Sequence, residues 1–328
     1  MKAVVITRTG DPSVLELRDV EDPSPDQSDL LVRVKATSLN RADLLQRIGA
    51  YPAPAGTRQD IPGLEFAGVV EWAGPHATPY CKGDRVMGLL PGEGHAELVV
   101  TPASLSLRIP ENLTFEEAAA IPEAFLTAHD ALSLQLALKA RERVLIHAVG
   151  SGVGTAALQL AKVIGAYTFG TSNSKRKLER AKTLGLDCAI DAKGSSFKAV
   201  VEHVTEGRGV EAVLDLVGAS YWDSNLSCLA PLGRMILVGL VGGTRTEIDL
   251  GLVLRKRLHL MGTVLRSRNQ EEKAEVTRSF QESRLHLFEN GTLAPVIDTV
   301  FPIEEISQAH SLMEQNRNFG KIILTVGN

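Results

Sequence analysis

The sequence predicts an α/β protein of two domains, one β-rich and one built on a six-stranded, doubly wound parallel sheet, and three observations carry that expectation. At 328 residues the chain is long enough for about two domains, and 44% hydrophobic residues suffice to fill their cores. Short β-rich runs punctuated by Pro and Gly turns extend from Met1 to about Thr114. Between Arg143 and Val264 apolar strand-like runs alternate with helical patterns, as parallel strands joined by crossover helices require.

The β-rich runs are Ala3–Ile6, Leu30–Val34, Val69–Trp72, Arg85–Leu89 and Glu97–Val100, with turns such as Asp22-Pro23-Ser24-Pro25 between them. Thr114 then caps a helix carrying acids in its first turn, and Pro122 separates it from a second helical stretch. The alternation that follows reads RVLIHA, GTAALQLAKVIG, AYTFGT, KRKLERAKTLG, DCAID, FKAVVEHVTEG, EAVLDLVG, a segment containing Trp222, GRMILVGL and HLMGTVL. From about Arg266 the chain is helical again and closes with a strand, a helix and the strand KIILTV, a tail expected to return to the first domain.

Charge and cysteine content exclude several classes. Thirty-five basic residues against 39 acidic ones give a net charge of −4, so no whole-molecule field draws nucleic acid or anionic lipid. Cys81, Cys188 and Cys228 are far apart and lack any C-x-x-C spacing, which argues against a disulfide framework and a structural zinc lobe. The opening MKAVVITRTGD has too short an apolar run for a signal peptide, and no segment approaches a membrane span. A cytoplasmic protein with no nucleic-acid or membrane partner is expected. The basic run Arg255-Lys256-Arg257 reads as a solvated loop, and His95, without H-E-x-x-H spacing, as a loop residue.

Function is most legible at Ile146–Gly154, IHAVGSGVG. A buried strand ends there, glycines turn, and a helix begins near Gly152. Backbone N–H groups and the helix N-terminus then face an anion, and missing Cβ atoms let the pyrophosphate of a dinucleotide approach. Thr155 stands at the last glycine position of G-x-G-x-x-G, so the fingerprint is incomplete, and a tight strand-to-helix turn is the plainer alternative. A serine nucleophile elbow fails because Val149 and Val153 stand where it needs glycines. About 20 residues further on, where an NAD site offers an acid, the sequence is Thr171-Ser172-Asn173-Ser174-Lys175-Arg176-Lys177. Hydroxyls and cations suit the 2′-phosphate of NADPH.

These residues resemble the medium-chain dehydrogenase/reductase family over nearly the whole chain. The blocks that carry the resemblance are MKAVVITRTGDPSVLELRDVEDPSP, SLNRADLLQRIGAY, PGLEFAGVVEWAG, KGDRV, GHAELVV, AAAIPEAFLTAHDAL, GSGVGTAALQLAK and NRNFGKIIL. It implies a GroES-like catalytic domain from residues 1–121 and 267–328, with a Rossmann NADPH-binding domain, residues 122–266, inserted between. Zinc-bearing relatives place a cysteine and a histidine in blocks that here read Ser38-Leu39-Asn40 and Gly63-Leu64-Glu65, so the similarity is to the zinc-free quinone oxidoreductase branch and no metal is expected. The implied activity is NADPH-dependent reduction of a quinone bound in the interdomain cleft. The alternatives are an α,β-unsaturated carbonyl as acceptor, or a non-catalytic dinucleotide-binding protein of crystallin type.

By the same resemblance Asn40, Asp43 and Tyr51 line the pocket beside the nicotinamide. Tyr51 either binds the carbonyl oxygen and relays a proton or forms an aromatic wall. Thr127 contacts the cofactor, Gly150, Ser151, Gly152, Val153 and Gly154 form the pyrophosphate turn, and Ser174 and Lys177 meet the 2′-phosphate. Val238, Gly239 and Leu240 hold the far side of the cofactor, while Leu265, Arg266 and Ser267, with the stretch from Asn316 to Lys321, close the cleft in related enzymes. Gly63, Glu65 and Gly68 are expected to be structural, the glycines shaping turns and the acid pairing locally. Ala192, where relatives often carry a tyrosine, weakens the NADPH assignment, with Lys193 compensating. The stretch His259–Val264 resembles an edge strand through which a homodimer forms.

Overall fold

Alternating apolar residues make the first strands, and the pairing follows from which face each buries. In the computed structural model, which describes residues 1–327, β1 (Lys2–Ile6) pairs antiparallel with β2 (Leu15–Asp19). The long β3 (Asp29–Leu39) then pairs antiparallel with both β4 (Glu65–Ala73) and β6 (Leu98–Pro102). On the other side of β4 lies β5 (Arg85–Leu89), followed by β7 (Ser106–Arg108). Helix α1 (Arg41–Arg47) leaves the end of β3. Thr114 caps α2 (Phe115–Ala119) as expected, in a reciprocal box with Glu117. Pro122 opens α3 (Pro122–His129).

The chain next builds a sheet of six parallel strands: β8 (Arg143–Ile146), β9 (Tyr167–Ser172), β10 (Cys188–Asp191), β11 (Val210–Asp215), β12 (Leu229–Leu237) and β13 (His259–Gly262). Their spatial order is β10-β9-β8-β11-β12-β13, the doubly wound arrangement. Helices α4 (Gly152–Ile164), α5 (Lys175–Thr183), α6 (Phe197–Val204), α7 (Trp222–Cys228) and α8 (Leu250–Lys256) separate the strands. Leu145, Phe169, Ile190, Val213, Leu226 and Met235 fill the core of this sheet.

Helices α9 (Gln270–Ser283) and α10 (His286–Glu289) precede β14 (Ile297–Pro302), α11 (Ile306–Glu314) and β15 (Lys321–Thr325). Strand β15 pairs antiparallel with β3, so the tail completes the seven-stranded first sheet, and Ile306, Ile322 and Leu324 share its core with Val32, Val34 and Phe66. Two units result, Met1–Leu126 with Leu265–Asn328, and Thr127–Val264.

Two expectations need correction. Gly68 shapes no turn; it lies within β4, where a Cβ would meet the Arg33 carbonyl oxygen at 2.2 Å beside an irregularity in the β3–β4 pairing. Lys256 is not a solvated loop residue. It ends α8, and its ammonium donates to the carbonyls of Leu226, Ser227 and Leu229, satisfying the orphan acceptors where α7 ends.

Candidate functional site

In the first unit the site grows from the junction of β3 and α1. Asn40 is the N-cap of α1, and its backbone N–H donates to Asp43 Oδ2 at 2.7 Å. The other Asp43 oxygen accepts from Gly63 N at 2.9 Å. Asp43 is fully buried, so both of its oxygens are spent on holding two loops together. Gly63 is the position where a turn does need glycine: its φ is +109°, and a Cβ would strike His95 N at 2.4 Å.

Glu65, at the start of β4 and fully buried, is the hub of this region. Its Oε1 accepts from Asn40 Nδ2 and Lys321 Nζ, each at 2.8 Å, and from the Ser38 hydroxyl. Its Oε2 accepts from the backbone N–H of Glu123 at 2.7 Å. The pairing expected to be local therefore reaches Lys321, whose ammonium also donates to Asn40 Oδ1 at 2.6 Å. His95 sits in its expected loop but is fully buried behind Glu65, its Nε2 3.4 Å from the Ser38 carbonyl.

Tyr51 follows α1 and is half-buried. The Arg266 guanidinium lies over its ring, 5.1 Å from the centroid. Arg266 is held there by bonds to the Pro91 carbonyl at 2.7 Å and to Gln46 Oε1 at 2.5 Å. Burial raises the Tyr51 phenol pKa, and the Arg266 charge partly opposes it. Leu265 is buried beside Arg266, and Ser267 is exposed. Asn316, with φ of +51°, accepts from Arg41 Nη2 at 2.5 Å, one residue from Asn40.

Sequence reasoning missed Glu123. It is the second residue of α3, half-buried, and its carboxyl is pushed up to about 8, by burial first and then by the Glu65 charge. The signal lay in Ile121-Pro122-Glu123-Ala124-Phe125, one acid in an apolar run.

The second unit gathers its expected residues at the C-terminal ends of the strands. Ser151 caps α4, its Oγ accepting from Gly154 N at 3.0 Å. The N–H groups of Gly152 and Val153, in the first turn of that helix, have no partner among the described residues. That arrangement fits a pyrophosphate. Gly154 serves the protein as well: a Cβ there would meet the Ala148 carbonyl oxygen at 2.3 Å. Ser174 caps α5 just past β9, accepting from Lys177 N at 3.4 Å. Val238 N and Gly239 N donate to the Asp215 carbonyl at 2.8 and 3.3 Å, and Leu240 beyond them is exposed. Thr127 lies in α3, and Ala192 follows β10.

Behind these ends runs a buried polar chain. His147 Nε2 donates to Asn225 Oδ1 at 2.6 Å, and its Nδ1 accepts from the Thr171 hydroxyl at 2.8 Å. Asn225 Nδ2 donates to Asp215 Oδ2 at 3.0 Å, and Asp215 Oδ1 accepts from Val217 N and Gly218 N. Burial lowers the His147 pKa, so the ring is neutral. Among the described residues no three His, Cys, Asp or Glu side chains converge to hold a metal ion, and no helix is long and apolar enough to cross a membrane.

Residues 26–126 match the family described as alcohol dehydrogenase GroES-like domain, and residues 152–282 the one described as zinc-binding dehydrogenase. A quinone oxidoreductase of Pseudomonas aeruginosa is 31% identical over 98% of this chain and 99% of its own length. Among solved structures, one titled as an NAD-dependent alcohol dehydrogenase superposes with a TM-score of 0.88 at 32% identity, both chains covered completely. The CurK enoyl reductase does so with 0.88 at 27% identity, covering 99% of each chain. A mycobacterial protein complexed with NADPH gives 0.88 at 28% identity, over 99% of this chain and 100% of its own.

Proposed function

This chain belongs to the medium-chain dehydrogenase/reductase family, and we propose that within it the protein is an NADPH-dependent, metal-free reductase of quinones. One observation carries the reading. The block where zinc-bearing relatives supply ligands holds Asn40, Leu64 and Glu65, and the Lys321 ammonium already satisfies the Asn40 and Glu65 oxygens. A cation of the protein's own thus occupies the oxygens a metal would seek. Without a Lewis acid, the acceptor must be electrophilic in its own right, as a quinone or conjugated enone is.

Bound NADPH would supply the hydride. Gly152 and Val153 offer N–H groups to its pyrophosphate, while Ser174 and Lys177 offer a hydroxyl and a charge to its 2′-phosphate. The relatives' names include both NAD and NADPH, so the preference for NADPH rests on the strand-end residues of this chain. In this reading Tyr51 donates a hydrogen bond to the acceptor oxygen as charge develops there, and Arg266, which lies over its ring, steadies it. The enoyl reductase likeness favours a second reading, in which the acceptor is an α,β-unsaturated carbonyl. A cytoplasmic homodimer joined along β13 belongs to the same proposal.

Initial rates of NADPH oxidation with an ortho-quinone and with a 2-alkenal, each repeated with NADH, test it. Fast quinone-dependent oxidation with NADPH and slow oxidation with NADH is the expected result. A preference for the alkenal moves the assignment to a double-bond reductase. Turnover with neither, despite tight NADPH binding, favours a non-catalytic dinucleotide-binding protein.

A further inference from the structure

Tyr51 opens a loop, residues 51–60, that the first unit fastens at three places. The Gln59 side chain closes the loop on itself: its Oε1 accepts from Ala53 N and its Nε2 donates to the Ala53 carbonyl, each at 2.9 Å. The tip rests on the segment 91–94, where Arg58 N donates to Glu93 Oε1 at 2.9 Å. Thr57 is seated there as well, since a Cβ on Gly92 would lie 2.8 Å from Thr57 Cγ2 and 3.6 Å from Arg266 Nη2. The third fastening is Gln46, a buried residue of α1. Its Nε2 donates to the Gln59 carbonyl at 2.9 Å, and its Oε1 accepts from Arg266 Nη2 at 2.5 Å. Arg266 also donates from Nε to the Pro91 carbonyl at 2.7 Å and from Nη1 to the Tyr51 carbonyl at 3.5 Å. These three acceptors are all neutral, so hydrogen bonds to oriented groups decide where this buried charge sits over the Tyr51 ring. Helix α1 is in turn fixed by Asp43, which holds Asn40 N and Gly63 N.

We propose that Gln46 is a positioning residue for acceptor reduction, its single amide locking the loop that opens with Tyr51 to the guanidinium that lies over the Tyr51 ring. The inference rests on the reductase reading above, in which the Tyr51 phenol meets the acceptor oxygen. Tyr51 N donates to the Leu45 carbonyl at 3.2 Å, which fixes where the side chain starts but not where the ring lies. The phenol has no hydrogen-bond partner among the described residues, so the ring takes its place from the loop and from Arg266. Gln46 touches no reacting atom and acts through those two. A methionine at 46 would fill the same space and hold neither. Misplacing a group that meets the acceptor by about 1 Å lowers turnover by roughly a hundredfold. The two ends of the amide do separate work: Oε1 keeps the charge over the ring, and Nε2 keeps the loop closed. Loss of the first falls on kcat, and loss of the second on KM.

The test compares wild type, Gln46→Met, Gln46→Glu and Gln59→Ala in ortho-quinone reduction, with NADPH affinity measured alongside by fluorescence. Gln46→Glu keeps an acceptor for Arg266 and loses the donor to the Gln59 carbonyl, so it separates the two bonds. Gln59→Ala, at an exposed residue, leaves Gln46 in place and opens the clasp on Ala53. Gln46→Met should lower kcat/KM by roughly ten- to a hundredfold, through both constants. Gln46→Glu and Gln59→Ala should raise KM with kcat close to wild type, and all three should bind NADPH as before. In protein labelled with 3-fluorotyrosine, the Tyr51 fluorine resonance, assigned by its loss in Tyr51→Phe, should move in Gln46→Met and stay in Gln46→Glu. Hydrogen exchange of the wild type should find the Ala53 and Arg58 amides protected. Free exchange at both overturns the proposal, and that result does not depend on any variant folding. A fall in kcat of Gln46→Met with an unmoved Tyr51 resonance overturns it too. A wild type that reduces no acceptor overturns the reductase reading and the positioning role with it, whereas wild-type kcat and KM in Gln46→Met overturn the positioning role alone.

Discussion

The two units bury polar groups to opposite ends. In the second, His147, Thr171, Asn225 and Asp215 form a chain in which each side chain has a partner, closed by the N–H groups of Val217 and Gly218. It ties together the ends of β8, β9 and β11, the strands around the point where the sheet order reverses and dinucleotides bind. In the first, Glu65 is as fully engaged, but the Glu123 carboxyl and the Tyr51 phenol have no hydrogen-bond partner among the described residues. A satisfied buried network fixes geometry, whereas an unsatisfied one stores an unmet demand for a proton or a ligand. The second unit thus fixes its strand ends, whereas in the first no side-chain hydrogen bond among the described residues fixes the Glu123 carboxyl or the Tyr51 phenol.

The comparison breaks most visibly at its strongest joint. Replacing Lys321 by Met leaves Glu65 a buried carboxylate without its cation, and should cost about 3–5 kcal/mol in urea unfolding. Adding Glu65→Gln to Lys321→Met should recover a large part of that loss; if it does not, the pair is not the source of the cost.

The next effect falls on binding. Lys177 lies outside the second unit's buried chain, so Lys177→Ala should leave the melting temperature unchanged while weakening NADPH by about 1.5–3 kcal/mol, a factor of roughly ten to a hundred or more, with NADH unaffected. Equal losses for both cofactors would remove Lys177 from the 2′-phosphate site. Thr171→Val, which takes the hydroxyl from His147 Nδ1, should cost about 1–3 kcal/mol of stability and is read by denaturant titration.

The pH-dependent effect is the most diagnostic. The Glu123 pKa is raised on folding, so between its ordinary value and about 8 the unfolded state has lost a proton that the folded state keeps. Stability contributed by that proton is present at low pH and is lost as pH rises through the folded value. Glu123→Gln should therefore match wild type near pH 4 and be more stable than it at pH 8. His147 works in the other direction: its pKa is lowered on folding, so it draws stability down as pH falls below the ordinary histidine value. Loss of stability in Glu123→Gln at pH 8 would mean that the carboxyl is a structural partner after all.

The residues differ in how far the sequence announces them. The glycine turn and the helix begun at Gly152 are local, governed by backbone sterics and orphan N–H groups within a few residues, and they were legible, whereas the Ser151 cap of that helix was not foreseen. The return of the tail was legible from its strand and helix pattern, and β15 duly pairs with β3. Glu65 was read as a local pair because nothing in Gly63-Leu64-Glu65 points to a lysine 256 residues away. Gly68 was read as a turn for the same reason: the Arg33 carbonyl it must clear is on another strand.

What the sequence by itself determined is the α/β class, the alternation that yields six parallel strands, and the position of the glycine turn that opens α4. These depend on periodicity and on residue type at short range. Only the tertiary structure decided which charges meet. It brought Lys321 to Asn40 and Glu65, laid Arg266 over Tyr51, and set the backbone N–H of Glu123 on the Glu65 carboxylate. Electrostatic partnership depends on distance in space and on the water removed between charges, and neither quantity is written along the chain.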